Sequence, residues 1–421
     1  MICYTLIRDT LKHCKTLRFY EFFAGAGLVH AALKDTWDCL WANDSDPDKE
    51  VVYRRNFPDT PFLRDDVGKV TPNDLPRAAD MAWASFPCQD LSLAGWQRGM
   101  SARRSGTFWP FWQLMAALRE SGDLPRIIAI ENVKGLLYGS NFSGLAEALV
   151  ALGMQFGALV VDARHFVPQS RPRVFVIGVD ARLNTEGFVD HEPTGKSWYP
   201  RAVLSAYGNL EPEVKAFWRW WKLPAPAALG PTISEIIDKD SPNVEWNNDA
   251  ETSRLLDLMS DRNLAKVSLE IKSRKSQVGF LYKRTRGGHQ RAEVRFDGFA
   301  GCLRTPTGGS SRQTILIINR GAVRSRLLSP REAAKLMGAP DFWLPENYNQ
   351  AYRAMGDAVV VPVVAHLAHH LLTPMAQAAQ TLPRLGPLSG STQLDHLYAR
   401  TSTRASTWLR QRLGRGIEAI K

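Results

Sequence analysis

Cys88, in the run Phe-Pro-Cys-Gln, has the surroundings that covalent chemistry needs. It follows the short apolar run 81–85, which reads as a buried strand, so the thiol would sit just past the strand's carboxyl end. In open α/β sheets that edge is where ligands bind. A cysteine that only fills space usually lies inside an apolar stretch, and taken alone Cys88 could still be a small residue in a loop. Glu131, in Glu-Asn-Val, ends the next apolar run and would project from the same edge. A thiolate beside a carboxyl group able to hold a proton suits attack on a ring whose nitrogen must be protonated. By itself Glu131 would serve equally well as an acid capping the following helix. Gln169, Arg171 and Arg173, in Gln-Ser-Arg-Pro-Arg, precede another apolar run. Alternate residues point the same way in a pleat, so the two arginines could hold a carboxylate and an exocyclic oxygen together.

A second set of residues suits a nucleotide-like ligand. The run Glu-Phe-Phe-Ala-Gly-Ala-Gly closes the first apolar run with Gly25 and Gly27, which let backbone amides approach a ligand at a helix N-terminus. Such turns are common, and the signal is weak until Asp44 is added. Asp44 ends the second apolar run, where an acid can accept both hydroxyls of a ribose. Asp66, in Arg-Asp-Asp-Val after a third run, could accept from an adenine amino group.

These residues need a framework to bring them to one edge. Apolar runs at 17–23, 39–42, 81–85, 127–130, 156–161 and 174–179 alternate with helical spacing at 48–56, 108–119 and 145–152. That is the pattern of βαβ units with a mainly parallel sheet. After residue 179 the alternation stops, and 181–325 reads as a second, smaller and irregular domain rich in Trp, Pro and basic residues. Within it, the aromatic run Phe217-Trp218-Arg219-Trp220-Trp221 is better suited to a core than to stacking on bases. From residue 326 helix signals return: Ser329 is an N-cap candidate, with Pro330 at the first helical position and Glu332 three residues after the cap. The segment 326–373 is expected to rejoin the first domain, and 374–421 to be a basic, mobile tail.

The chain has 421 residues, 44% of them apolar and 23% charged, enough for two or three domains with a large core. Five scattered cysteines without a Cys-x-x-Cys pair argue against a disulfide framework or a structural zinc site, and for a reducing cytoplasm. No apolar stretch suggests a membrane span, and the N-terminus lacks a secretory core. A net charge of +11 favours a polyanionic partner. The excess gathers between Lys266 and Arg312 and again near the end of the chain, where a solvated face and a phosphate-contacting surface are both open readings.

Taken in order, Phe-Ala-Gly-Ala-Gly, Asn-Asp, Asp-Asp-Val, Phe-Pro-Cys-Gln, Glu-Asn-Val, Gln-Ser-Arg-Pro-Arg, the run 326–341 and the run 350–359 closely resemble the DNA (cytosine-5) methyltransferase family. The resemblance covers roughly 17–180 and 302–372. It implies an α/β fold with a Rossmann-like sheet that uses S-adenosylmethionine, plus a smaller target-recognition domain. It implies that the Cys88 thiolate adds to cytosine C6, that Glu131 serves N3, and that Arg173 holds O2 with Arg171 in support. The base must be flipped out of the duplex. Phe23, Gly25, Ala26 and Gly27 would surround the cofactor, Asp44 the ribose, Asp66 and Val67 the adenine, with Pro87, Asp357 and Ala358 completing the site; no metal is required. Three residues depart from the usual pattern: Glu21 for aspartate, Leu28 for glycine, and Asp357 for the asparagine common in the last motif.

The segment 96–106 resembles the family's loop that closes over DNA, with Arg98, Arg103 and Arg104 as phosphate contacts and Gln89 beside the nucleophile; an ordinary surface loop is the alternative. The basic cluster Arg284, Arg286, Arg291 and Arg295 would mix base-reading and phosphate-holding groups. The expected partner is duplex DNA, met by a cytoplasmic monomer and, in a restriction-modification setting, accompanied by a cognate endonuclease on a separate chain. Two rivals stay open: a tRNA cytosine-5 methyltransferase on the same fold, and a DNA-binding regulator without activity.

Overall fold

The computed structural model describes residues 17–87, 107–193, 197–227, 230–238, 244–305 and 312–387. Seven strands form the first sheet: β1 (Leu17–Phe22), β2 (Trp37–Asn43), β3 (Phe62–Leu63), β4 (Met81–Ala84), β5 (Ile127–Asn132), β6 (Met154–Asp162) and β7 (Pro172–Asp180). Their order is β3-β2-β1-β4-β5-β7-β6. All neighbours are parallel except β7, which runs antiparallel to both β5 and β6. Helices Leu28–Leu33, Pro47–Asn56, Phe108–Glu120 and Ser140–Ala151 supply the crossovers. The sheet is buried on both faces, which is why β4, β5 and β6 read as nearly unbroken apolar runs.

This order decides what meets at the carboxyl edge. Phe22 of β1 lies beside Asn43 of β2 and Ala84 of β4, and Ala84 lies beside Ile130 of β5. Because β7 is reversed, its amino end arrives at the same edge: Asn132 pairs with Val174, and Glu131 with Phe175. Arg173 is two residues before Phe175 and therefore faces the same side as Glu131.

The second lobe is more regular than expected. Strands β10 (Gln277–Arg286), β11 (His289–Arg295), β12 (Thr314–Asn319) and β13 (Ala322–Leu327) form an antiparallel sheet ordered β11-β10-β12-β13. Helices Asp249–Asp257 and Asp261–Ser273 precede it. Met259, Val267, Leu281, Ala292, Val294, Leu316 and Ile318 form its separate small core.

The expected boundary at 181 gives way as well. Residues up to Ile237 belong to the large core, with Trp198, Tyr199, Trp218, Trp221 and Ile233 among its members. Two short strands, β8 (Val189–Asp190) and β9 (Trp220–Trp221), pair there. The backbone of Phe156 exchanges bonds with Phe217 and Arg219, at 2.9 and 2.7 Å, and this covers the otherwise open edge of β6. The Trp221 indole donates to the Ile177 carbonyl at 3.1 Å. The tryptophans are core and edge cover for the first lobe.

The tail is corrected in the same way. Helix Thr373–Ala379 is built on buried Met375, Ala376 and Ala379. Arg384 donates to the carbonyls of Ala79 and Leu124, and Arg126 to that of Leu382. Residues 374–385 are thus docked on the sheet, and the rest of the expected tail, from 388, lies outside the described residues. The helical segments from Tyr348 to Ala379 are together long and apolar enough to cross a membrane by length and composition alone. Half of their most apolar stretch is buried, and Val363, Val364, Leu367, Leu371 and Leu372 pack in the core. They read as core helices.

Candidate active site

The chain leaves β1 through a turn of unusual backbone. Phe23 has φ 56°, Gly25 58° and Gly27 92°. For Phe23 this left-handed conformation costs about 1–2 kcal/mol, and such strain concentrates where a ligand is held. The Ala24 amide bonds to the Asn43 carbonyl at 2.8 Å, and the Gly25 amide to Asp44 Oδ2 at 2.9 Å. Asp44 Oδ1 accepts from the Asp46 amide at 3.0 Å, so the carboxylate is locked against the glycine turn. Gly27 must be glycine for a second reason: a Cβ there would meet the Phe57 and Tyr53 rings at 2.7–2.9 Å. At Gly25 the space is open, and the nearest atom to such a Cβ is Lys49 Cδ at 4.0 Å.

The other cofactor candidates border this turn to different degrees. Asp66 caps the short turn Val67–Lys69 by accepting from the Gly68 amide at 2.8 Å, and Val67 is buried beneath it. Phe86 places its ring 6.3 Å from that of Phe23, and Pro87 after it is exposed. Asp357 ends the helix Tyr348–Gly356 and lies 3.3 Å from the Lys49 ammonium. Ala358 and Gly356 give their carbonyls to Arg171, at 2.6 and 2.9 Å.

Beneath the turn is a buried polar network. Tyr53 Oη donates to Glu21 Oε2 at 3.3 Å and sits 3.0 Å from His30 Nδ1. Cys39 Sγ is 3.5 Å from the same hydroxyl. Burial pushes the Glu21 carboxyl up to about 8 and the His30 imidazole down to about 4, so both are neutral near pH 7. The longer side chain of Glu21 therefore reaches a tyrosine hydroxyl within the core.

Glu131 and Arg173 meet as the register requires. Arg173 Nε is 3.1 Å from Glu131 Oε1, and both are largely buried. Burial raises the Glu131 pKa, while Arg173, Arg171 and a hydrogen bond with Ser85 pull it back. The net effect is a rise, which favours the protonated form of the carboxyl group relative to an ordinary glutamate. Asn132 donates to the Phe86 carbonyl at 3.3 Å and so anchors the segment that leads from β4 to Cys88. Cys88 and Gln89, with Arg98, Arg103 and Arg104, lie outside the described residues.

Arg171 has a different job from Arg173. The residue is 2% exposed, and its guanidinium donates to the carbonyls of Leu303, Gly356 and Ala358, tying the returning chain and the last motif to the sheet edge. Gln169 adds to this tie, accepting from the Leu303 amide at 3.2 Å. Cys302 lies between the two arginines, 3.3 Å from Arg171 Nη1 and 3.8 Å from Arg173 Nη2. Burial raises its thiol pKa, but the nearby arginines outweigh that and lower it. Sequence reasoning gave no role to Lys49, Ser85, Asn132 or Cys302. Only Asn132, beside Glu131 at a strand end, carried a local signal.

On the second lobe, Arg284 and Arg291 are directly opposite on β10 and β11 and both are exposed. Arg284 lies over the Tyr282 ring at 4.7 Å. Like charges placed across strands repel, an arrangement that an anion relieves. Arg284 makes a long ion pair with Glu293, at 3.9 Å, whereas Arg295 is engaged by Asp297 through a two-pronged ion pair. Arg286 pairs with His289 in the register, and its side chain is outside the described residues.

The profile of the family described as C-5 cytosine-specific DNA methylase matches residues 17–373. The Type II methyltransferase M.HhaI of Haemophilus parahaemolyticus is 26% identical over 366 residues, covering 86% of this chain and 95% of that one. M.Bsp6I of a Bacillus strain is 24% identical, covering 85% and 99%. Among solved structures, a Spodoptera frugiperda DNMT2 mutant aligns with a TM-score of 0.56 at 18% identity, over 85% of this chain and 99% of that one. The Entamoeba histolytica methyltransferase EhMeth aligns with a TM-score of 0.57 at 13% identity, over 86% and 99%. With the family profile matching nearly the whole of both lobes, and a glycine turn, a buried Glu–Arg pair and the start of the Phe-Pro-Cys-Gln segment at one sheet edge of this chain, the chain belongs to the C-5 cytosine-specific DNA methylase family.

Proposed function

We propose that this methyltransferase moves a methyl group from S-adenosylmethionine to C5 of cytosine within a specific sequence of duplex DNA, through a covalent bond between Cys88 and C6. The observation that carries the proposal is the buried Glu131–Arg173 pair at the carboxyl edge, next to the strand that leads to Cys88. The residues present fit the donor: open space at Gly25, left-handed backbone at Phe23 and Gly25, and the Asp44 carboxylate bound to that turn. Bound there, the donor supplies a methyl group made electrophilic by its sulfonium.

In the proposed reaction the Cys88 thiolate adds to C6 of a flipped cytosine, and the displaced electron pair makes C5 nucleophilic. Glu131 gives its proton to N3, so that charge does not accumulate on the ring. Arg173, already paired with Glu131, keeps that carboxyl group oriented and donates to O2. Loss of the C5 proton to solvent, departure of the thiolate and return of the N3 proton to Glu131 then restore the neutral aromatic base. Arg171 positions the main chain around Cys302 and Asp357. Arg284 and Arg291 on the β10–β11 hairpin suit phosphate or base edges, which supports a reading in which the second lobe recognises the sequence. The Type II relatives suggest a bacterial restriction-modification setting with a separate endonuclease.

The test is a trapping assay. Duplex DNA carrying 5-fluorocytosine should become covalently bound to the wild-type protein in the presence of the donor, because fluorine cannot leave as a proton does. Cys88→Ser should give no adduct and no methyl transfer, yet still bind DNA. A Cys88→Ser protein that turns over near normally sinks the nucleophile assignment. Bisulfite sequencing of host DNA reads the target, and transfer to tRNA but not duplex DNA refutes the substrate class.

A further inference from the structure

Asp357 places a carboxylate beside the glycine turn, at a position where the resemblance leads one to expect a neutral amide. The structure supplies its counterion from a distant part of the chain. Lys49, in the first turns of the helix Pro47–Asn56, sends its stem past Gly25 and brings its ammonium 3.3 Å from Asp357 Oδ2. The Lys49 side chain is only 17% exposed and Asp357 43%. Besides Asp357, two acids act on Lys49, Asp44 and Asp46. Asp44 is bound to the Gly25 amide, and Asp46 is held at 2.5 Å by Arg353, which also lies 3.7 Å from Asp48. The acids beside Lys49 favour its charged form over the opposing effect of burial. Lys49 is therefore a mostly buried cation beside the glycine turn, and Asp357 a more exposed anion paired with it.

An ion pair with this geometry matches one kind of ligand end in particular. An α-amino acid carries an ammonium and a carboxylate on one carbon, a zwitterion that a cation and an anion a few ångströms apart can receive by exchanging partners. Both groups then keep a charge-assisted hydrogen bond and neither is left bare. A ligand lying against the glycine turn with its ribose at Asp44 would have its remaining end within reach of Lys49 and Asp357. We propose that Lys49 and Asp357 form a zwitterion clamp, Lys49 taking the α-carboxylate and Asp357 the α-ammonium of the methyl donor's amino acid portion. The clamp rests on the cofactor reading above and adds the residues that select and orient that end of the molecule. It also accounts for Asp357: the extra negative charge is matched by Lys49 without the ligand and used by the ligand's ammonium when it binds.

The test is equilibrium binding by calorimetry, without any turnover, using three probes. S-adenosylhomocysteine has both charged groups, its decarboxylated amine analogue has only the ammonium, and 5′-methylthioadenosine has neither. Lys49→Met should weaken S-adenosylhomocysteine by about tenfold or more, and leave the amine analogue and methylthioadenosine unchanged. Asp357→Asn should weaken S-adenosylhomocysteine and the amine analogue, and again spare methylthioadenosine. Lys49→Arg should keep most of the affinity. If Lys49→Met weakens all three probes alike, or none, the pair is a structural bolt between two segments and the clamp is wrong. If the wild-type protein binds none of the three, the cofactor reading itself fails, an outcome distinct from either of these.

Discussion

Arg171 is 2% exposed, and Arg171→Ala removes a guanidinium that serves three main-chain carbonyls: Leu303 at 2.9 Å, Gly356 at 2.9 Å and Ala358 at 2.6 Å. A hydrogen bond with a charged donor contributes about 1.5–3 kcal/mol, and each buried carbonyl left without a partner costs about 1–3 kcal/mol. The contributions do not add in full. One guanidinium is shared among the three acceptors, its Nε is buried without a partner among the described residues, and its own desolvation is relieved on removal. The expected loss is that of breaking a buried ionic network, about 3–5 kcal/mol. Arg171→Lys, with one ammonium and no fork, should recover only part of it. Urea unfolding followed by tryptophan fluorescence measures the stability. Calorimetry with S-adenosylhomocysteine adds a local readout, because the freed carbonyls flank Asp357. Arg171→Ala should weaken that binding even at urea-free, fully folded conditions. A stability loss below about 1 kcal/mol together with unchanged affinity would refute the idea that Arg171 fastens these segments.

Glu131→Gln should slow methyl transfer by about 10²–10⁴-fold, since an amide can donate to N3 but cannot pass on a proton; donor affinity should hold, and a lost affinity with normal rate overturns the assignment. Asp44→Ala should do the reverse, raising the donor's KM through lost hydrogen bonds of about 1–3 kcal/mol, and an unchanged KM argues against it. Glu21, pushed up to about 8 from 4.5 by burial, keeps a proton that the unfolded chain releases. Its contribution to stability is therefore full below about pH 4.5, declines as pH rises, and is lost above about 8. Glu21→Gln should flatten the urea midpoint between pH 5 and 8, and an undiminished slope means another group is responsible. Gly27→Ala forces a left-handed side chain, about 1–2 kcal/mol, into the Phe57 and Tyr53 rings, about 1–3 kcal/mol more; thermal melts within error of wild type would contradict this packing.

Local pattern determined a good deal about this protein. Alternating apolar runs and helical spacing are properties of consecutive residues, because side-chain direction repeats every two residues in a strand and every 3.6 in a helix. They fix the αβ alternation, the glycine turn after Phe22, and the placing of Glu131 at a strand end. The Ser329 cap with Pro330 and Glu332 is equally local, and the capping box forms as the spacing requires. The aromatic run around Trp218 carried a hint of core, but not of which core. Its partners are Phe156 and Ile177, which belong to strands β6 and β7.

What tertiary structure alone decided is the company each charged group keeps. Strand order puts β7, reversed, between β5 and β6, and only that brings Arg173 back to Glu131. The two arginines of Gln-Ser-Arg-Pro-Arg look equivalent in sequence. One faces a carboxylate, and the other is closed in by carbonyls from Leu303, Gly356 and Ala358. Lys49 looked like any lysine on a surface helix until the chain returned to place Asp357 against it. The buried Glu21, Tyr53 and His30 network likewise draws on three separate elements. The reason is physical: periodicity specifies which face of an element is buried, but protonation and pairing depend on charges and solvent within a few ångströms, and those neighbours come from segments hundreds of residues apart only once the sheet has set their positions.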